Sequence, residues 1–287
     1  MTKVTDAYGS KGSDPVVICD FSPPRGPGRE FLDDARKLDV DFLSVAYNPG
    51  KAVRVDSAML AYAIKDGAGR DAIFSLATRY MNRLALESHL LGAGALGMEN
   101  LLVIGGDPFS PRDLERVKNV RDFRPTELIE AVNQMNQGLD FRGRKLRQPT
   151  DLCVGGAIDL GRDQEAEARL TYRKVRSGAH FLITQPIFDV ADMEGFRNAY
   201  RSASGEALDI PVFWGLQIMV DGGVIFSSVP EALRRELEGG RDGVDIALEQ
   251  WVGFKEAGVD AVYLVPPILK GGARDYDATS RFLGLVK

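Results

Sequence analysis

The fold class predicted here is α/β, a single-domain (β/α)8 TIM barrel, and three observations predict it. Eight short apolar runs recur along the 287 residues, amphipathic stretches with helical spacing lie between them, and three of those stretches end on a glycine just before the next run. A continuous apolar run reads as a strand buried on both faces, the kind that parallel sheets with helical crossovers contain. Helix, glycine stop and buried strand make the αβ half of a βα unit, and eight units are the number that closes a barrel.

In order, the strands are expected at VVICDF (16–21), DFLSVAY (41–47), DAIFSLAT (71–78), NLLVIGG (100–106), DLCVGGAI (151–158), HFLITQPIF (180–188), IPVFWGLQI (210–218) and DAVYLVPPI (260–268). Helical segments between them include REFLDDARKL, PTELIEAVNQMNQG, EAEARLTYRKVRSGA, DMEGFRNAYRSA and GVDIALEQWVGFKEAG. The glycine stops are at 96–97, 177–179 and 257–258. A doubly wound open sheet is the alternative, and "GAGALG" at 92–97 matches a dinucleotide-binding glycine pattern letter for letter. That fingerprint works only where a strand turns into a helix, because the pyrophosphate rests on the helix N-terminus. These glycines close a helix and precede a strand, so they read as a helix C-terminus.

Composition narrows the classes. Hydrophobic residues make up 44% and charged residues 27%, as in an ordinary globular chain. No apolar run approaches the roughly 20 residues that span a bilayer. Residues 1–14 read as a loose polar tail without a signal-peptide core, on a cytoplasmic protein whose barrel domain occupies 15–287. Cys19 and Cys153 fall in strand-like runs and read as small buried hydrophobes. His89 and His180 have no neighbour at metal-ligand spacing, so neither a zinc site nor any other metal is expected. A net charge of −5 without a dense Lys/Arg block gives no electrostatic case for nucleic acid. A Ser-His-Asp hydrolase lacks its G-x-S-x-G elbow.

In a barrel the catalytic groups gather at the C-terminal strand ends. Asp20 follows the first strand, Tyr47 and Asn48 the second, and Asp107 the fourth, in "LLVIGGDPFS"; Gln185 lies late in the sixth and Gln217 late in the seventh. With Phe21, Phe109, Phe188 and Trp214 they suit a flat, nitrogen-rich ring whose edge pairs with acid and amide while aromatics cover its faces.

These pieces resemble the methylenetetrahydrofolate reductase family. The matching stretches are "CDFSPPR" (19–25), "LSVAYNPG" (43–50), "GMENLLVIGGDP" (97–108), "RKVRSGAHFLITQPIFD" (173–189) and the segment 229–264, in the family's order. The resemblance implies that Asp107 hydrogen-bonds the pterin and supports a cationic intermediate, and that Gln185 faces the pterin and the nicotinamide. It places Asp20 where the family has its catalytic glutamate, as the acid that opens the folate's imidazolidine ring. It implies FAD as cofactor, with Lys174 and Glu167 at its phosphate and ribose. Four polar flavin contacts of the family are nevertheless replaced: Ala46 stands for a threonine, Ser75 for a histidine, Gly105 for an arginine, and "IDLGR" (158–162) for a Y-P-E-x-H stretch. The expectation is therefore reduction of 5,10-methylenetetrahydrofolate to 5-methyltetrahydrofolate by NAD(P)H, through a weakly held flavin or directly. A methyltetrahydrofolate-dependent methyltransferase and a non-enzymatic folate-binding component are the alternatives, and a homo-oligomer or partner subunit is left open.

Overall fold

The computed structural model describes residues 1–161 and 163–287. Eight strands, β1 (Val16–Phe21), β2 (Phe42–Val45), β3 (Ala72–Ala77), β4 (Asn100–Ile104), β5 (Cys153–Ile158), β6 (Phe181–Pro186), β7 (Val212–Gln217) and β8 (Ala261–Val265), form a closed barrel in sequence order. All eight pairings are parallel, with β1 closing onto β8.

The helices are α1 (Val4–Gly9), α2 (Phe31–Lys37), α3 (Ser57–Ala68), α4 (Arg83–Ala95), α5 (Pro111–Leu114), α6 (Pro125–Asn136), α7 (Gln164–Arg176), α8 (Ala191–Ser204), α9 (Glu231–Glu238), α10 (Gly243–Glu256) and α11 (Tyr276–Val286). Local chemistry sets many of their ends. Asp56, Asn82, Asp163, Asp242 and Asp275 accept from backbone amides in the first turns of α3, α4, α7, α10 and α11, each satisfying a donor the helix itself cannot. The three expected stops hold left-handed glycines, Gly97 (φ 69°), Gly178 (φ 92°) and Gly258 (φ 70°). "GAGALG" thus ends α4, as its context predicts.

Side chains alternate across each strand. One set, including Leu43, Val45, Phe74, Leu76, Val103, Leu182, Trp214 and Leu264, packs outward on the helices. The other, including Ile18, Phe42, Ile73, Leu102, Phe181, Ile183 and Phe213, fills the lower barrel. Gly155 makes room there, since a Cβ would lie 2.4 Å from the Phe181 ring.

The tail expected over 1–14 is corrected in part. Residues 4–9 form α1, Val4 is fully buried in the lower-barrel cluster, and its amide donates to Asn100 Oδ1 at 3.0 Å. Asn100 Nδ2 returns a bond to the Thr2 carbonyl, and Tyr8 donates to Asp260 at 2.7 Å. An open barrel end exposes apolar side chains, and a short helix with one valine turned inward covers them. The polar letters of the segment conceal that single anchor.

Candidate active site

Above the lower-barrel cluster the inward positions become polar or small. Asp20 follows Ile18 by two residues on β1 and Tyr263 follows Ala261 by two on β8, so the alternation of the strands carries both inward. Tyr263 donates to Asp20 Oδ1 at 3.0 Å, and Arg274, from the loop after β8, donates through Nε to Oδ2 at 2.9 Å. Arg274 is held from behind by the Gly272 carbonyl at 3.1 Å and lies against the Phe226 ring. Burial, reinforced by the charge of Asp20, pushes the Tyr263 hydroxyl well above its ordinary value. Burial opposes the charge of Arg274, yet the Asp20 carboxylate more than offsets it and the pKa ends raised. Both oxygens of Asp20, expected as the catalytic acid, thus accept from a protein donor.

Asp107 differs. It stands exposed after β4, and its carboxylate makes no hydrogen bond or ion pair among the described residues. Its carbonyl accepts from the Tyr80 hydroxyl at 3.3 Å. Tyr47 and Tyr80 stack at 5.9 Å with planes 19° apart, and Phe109 meets Tyr80 at 5.3 Å. Burial, then the charge of Asp56, pushes Tyr47 up to about 12; Tyr80 is raised by burial and by Asp107. Gly106 (φ 78°) lets this wall close, because a Cβ would sit 3.2 Å from the Tyr80 ring. Gly105 precedes it at the end of β4, where the nearest group to an added Cβ is Pro125 at 3.8 Å.

Gln185 lies half-buried at the end of β6, beside a register shift between Ile183 and Pro186. Thr184 fastens the shift by accepting from the Gly215 amide at 2.8 Å and donating to the Gln185 carbonyl at 2.8 Å. Such irregularities re-aim a side chain at a barrel rim. The Gln185 amide itself has no hydrogen-bond partner among the described residues.

Other expected site residues are placed elsewhere. Gln217 is buried, and its amide is used at both ends by the loop after β7, donating to the Val224 carbonyl at 2.9 Å and accepting from the Phe226 amide at 3.1 Å. It shapes the loop that carries Phe226. Phe188 packs with Leu233, Leu237 and Met219 beneath α9. Phe21 stacks on Tyr276 at 4.9 Å, and Trp214 meets Phe196 in the helix layer, so both point away from the mouth. Ser75 is buried in β3, its carbonyl accepting from the Ser57 hydroxyl at 2.6 Å. His180 accepts from the Val154 amide at 3.0 Å, and His89 packs against Phe74.

Lys174 and Glu167, expected at a flavin's phosphate and ribose, form a buried ion pair at 3.1 Å on α7, and Lys174 also donates to the Ala157 carbonyl. A Cβ on Gly156 would touch the Lys174 stem at 3.2 Å, which places the lysine between β5 and its helix. An incoming phosphate would have to break a buried pair to reach it. Of the 158–162 segment, position 162 lies outside the described residues.

Alternation on β8 could have pointed to Tyr263, whereas Arg274 carries no local signal: it meets Asp20 across 254 positions of sequence. A cavity of about 310 Å³ lies beside the mouth, lined by Met219, Asp221, Arg241, Pro267 and Arg281 among others. No described helix is long and apolar enough to cross a membrane.

The fold has a solved counterpart in an uncharacterised protein from Clostridium thermocellum, described as binding two copies of 5-methyl-5,6,7,8-tetrahydrofolic acid. The TM-score is 0.67 at 14% identity, with 95% of each chain covered. A family model described as methylenetetrahydrofolate reductase matches residues 9–221, which takes in Asp20, Asp107 and Gln185 and stops short of Tyr263 and Arg274. With well over half its length in that match, the chain belongs to the methylenetetrahydrofolate reductase family.

Proposed function

We propose that the protein reduces 5,10-methylenetetrahydrofolate to 5-methyltetrahydrofolate with hydride taken directly from NAD(P)H. The observation that carries this reading is the pairing of an uncommitted carboxylate, Asp107, with an uncommitted amide, Gln185, at the mouth of a barrel of this family. An acid and an amide together match the donor and acceptor edge of a pterin, and the Tyr47–Tyr80 wall offers a face to a flat ring. The solved counterpart's folate ligand agrees with this substrate class.

Reduction requires a proton on the departing ring nitrogen, cleavage of that carbon–nitrogen bond to give a cationic iminium, and hydride addition to its carbon. Asp107 supplies negative charge for the cation, and Gln185 orients the ring. Asp20, committed to Arg274 and Tyr263, contributes a fixed field and keeps the protonated Tyr263 hydroxyl at the mouth. The residues expected to hold FAD do not fit it: Lys174 and Glu167 are buried against each other, and Ala46 and Gly105 bring no polar side chain.

Initial-rate kinetics with methylenetetrahydrofolate and NAD(P)H, without added flavin, tests the proposal. Intersecting double-reciprocal lines are expected. Parallel lines from a yellow protein would overturn the flavin-free route. Folate binding without NAD(P)H oxidation would overturn the reductase and favour methyl transfer or binding alone.

A further inference from the structure

Helix α4 is apolar on two sides. Leu86, Leu90 and Ala93 are buried against the barrel, while Leu84, Ser88, Leu91, Gly92 and Ala95 are exposed. The spacing of the exposed set, i, i+4, i+7, i+8 and i+11, puts it in one row on the outside of the helix. A surface helix ordinarily carries its charges there, as α7 does with Glu165, Arg169, Arg173 and Arg176. On α4 the one acid and the one arginine are used elsewhere. Glu87 is buried and accepts from the Phe141 amide at 2.9 Å, and Arg83 donates to the Asp122 carbonyl at 2.9 Å and lies over the Phe123 ring. Helix α3 continues this uncharged face. Lys65 of α3 donates to the Gly97 carbonyl at 2.9 Å, and His89 of α4 meets Asp56, the cap of α3, at 3.7 Å, so the two helices lie side by side. Met59 and Tyr62 of α3 join Leu84 and Leu91 among the exposed large apolar side chains. Gly92 and Gly94 are a further anomaly. Glycine is a poor helix former, neither residue has a positive φ, and a Cβ on either would meet no described atom within 4 Å.

We propose that the outer face of α3 and α4 docks a second copy of this chain, giving a two-fold dimer. The proposal stands independently of the folate reading. In a two-fold contact one patch must fit itself, and this face offers both projections, at Leu84 and Leu91, and a recess, at Ser88, Gly92 and Ala95. A missing Cβ at Gly92, which nothing inside the chain calls for, lets the facing surface come close. The lack of charge agrees, because the centre of an interface is depleted of it. Area sets the strength. Helices of 12 and 13 residues are about 20 Å long and pack about 10 Å apart, so each copy presents roughly 400 Å² in projection. Two such faces remove roughly 800 Å² in projection, and more as accessible surface, which is near the lower bound of about 1,000 Å² for a specific contact. That size suits a reversible dimer rather than a permanent one.

Sedimentation velocity from about 1 to 200 μM tests this in wild type, Leu91→Glu, Gly92→Gln and a control on another helix, Arg169→Ala, whose side chain pairs with Glu165 in solvent. Wild type should pass from the mass of one chain to that of two with a midpoint in the micromolar range. Leu91→Glu and Gly92→Gln should each raise that midpoint roughly tenfold or more, and the control should leave it unchanged. Gly92→Gln is the critical variant, because the single chain has room for the new side chain and the helix gains a better former. Its urea midpoint, measured where wild type is monomeric, should equal or exceed that of wild type while association weakens. Wild type that stays monomeric throughout overturns the proposal. So does a dimer that keeps its midpoint in either variant, which would put the contact on another face, or one weakened equally by Arg169→Ala.

Discussion

Two ion pairs are deeply buried in the described structure, one inside the barrel and one outside it. Arg274 and Asp20 are each 6% exposed at the mouth; Lys174 and Glu167 are 7% and 2% exposed between β5 and α7. The geometry is nearly the same, at 2.9 and 3.1 Å. The surroundings differ. The outer pair lies seven residues apart on one helix and is closed in by the sheet, with Lys174 also held by the Ala157 carbonyl. The inner pair joins the first strand to the last loop, includes a tyrosine hydroxyl, and stands beneath the rim that carries Asp107 and Gln185. Similar burial therefore does not imply a similar role: one pair holds a helix to a strand, and the other, on the proposed function, sets charge where the ligand would arrive.

The sharpest way to break this comparison is Lys174→Ala. It leaves Glu167 buried without its partner, and removal of one member of a buried pair typically costs about 3–5 kcal/mol. Urea unfolding should show that loss, while folate affinity stays the same. Replacing both members by apolar residues should recover most of the stability, since the pair also loses its hydration on burial. A Lys174→Ala protein that keeps its stability but loses folate or nicotinamide binding would move the outer pair into the active site.

Asp20→Asn should act in the other direction. The amide retains size and polarity but removes the charge facing Arg274 and Tyr263, and loss of one preorganised electrostatic group commonly lowers rate by ~10²-fold. Single-turnover reduction should slow by that order with folate still bound. A variant with an unchanged rate and a lower unfolding midpoint would reduce the inner pair to the same structural role as the outer one.

The smallest effect is expected at the opposite end of the barrel, where Tyr8 donates to Asp260 in a part-exposed setting. Burial first, and Asp260 second, push Tyr8 up to about 12 from an ordinary value near 10. The raised value favours the protonated folded state. Its contribution is full below about pH 10 and is lost as pH rises towards about 12. Tyr8→Phe should therefore cost less than about 1 kcal/mol at neutral pH and flatten the decline of stability across that alkaline window. An alkaline limb identical to that of wild type would show that α1 draws no pH-dependent support from this bond.

Much of the fold was legible in the residues because its signals are local. Apolar runs, helix spacing and glycine stops at 97, 178 and 258 each depend on neighbours a few positions away, and each is where its pattern requires. The positions of Asp107 and Gln185 at one end of the barrel were legible for the same reason: a polar residue at or just after the C-terminal end of an apolar strand has one end of the barrel to occupy. Gln217 was misplaced by that rule, since strand position does not tell whether a following loop will fold back and take up its amide. Phe21 and Trp214 were misplaced because aromatic identity says nothing about which face of the strand it lies on.

By itself the sequence determined the eight βα units, their order, and the strand ends where chemistry gathers, because backbone periodicity and capping act over a few residues. Tertiary structure alone decided which charges meet. Asp20 finds Arg274 only when β1 closes onto β8, Lys174 turns to Glu167 rather than outward, and Val4 becomes a plug only once there is a barrel end to fill. The physical reason is that a charge or a single apolar side chain gains its energy from whatever surrounds it in space, and closing the barrel brings together groups as many as 254 positions apart.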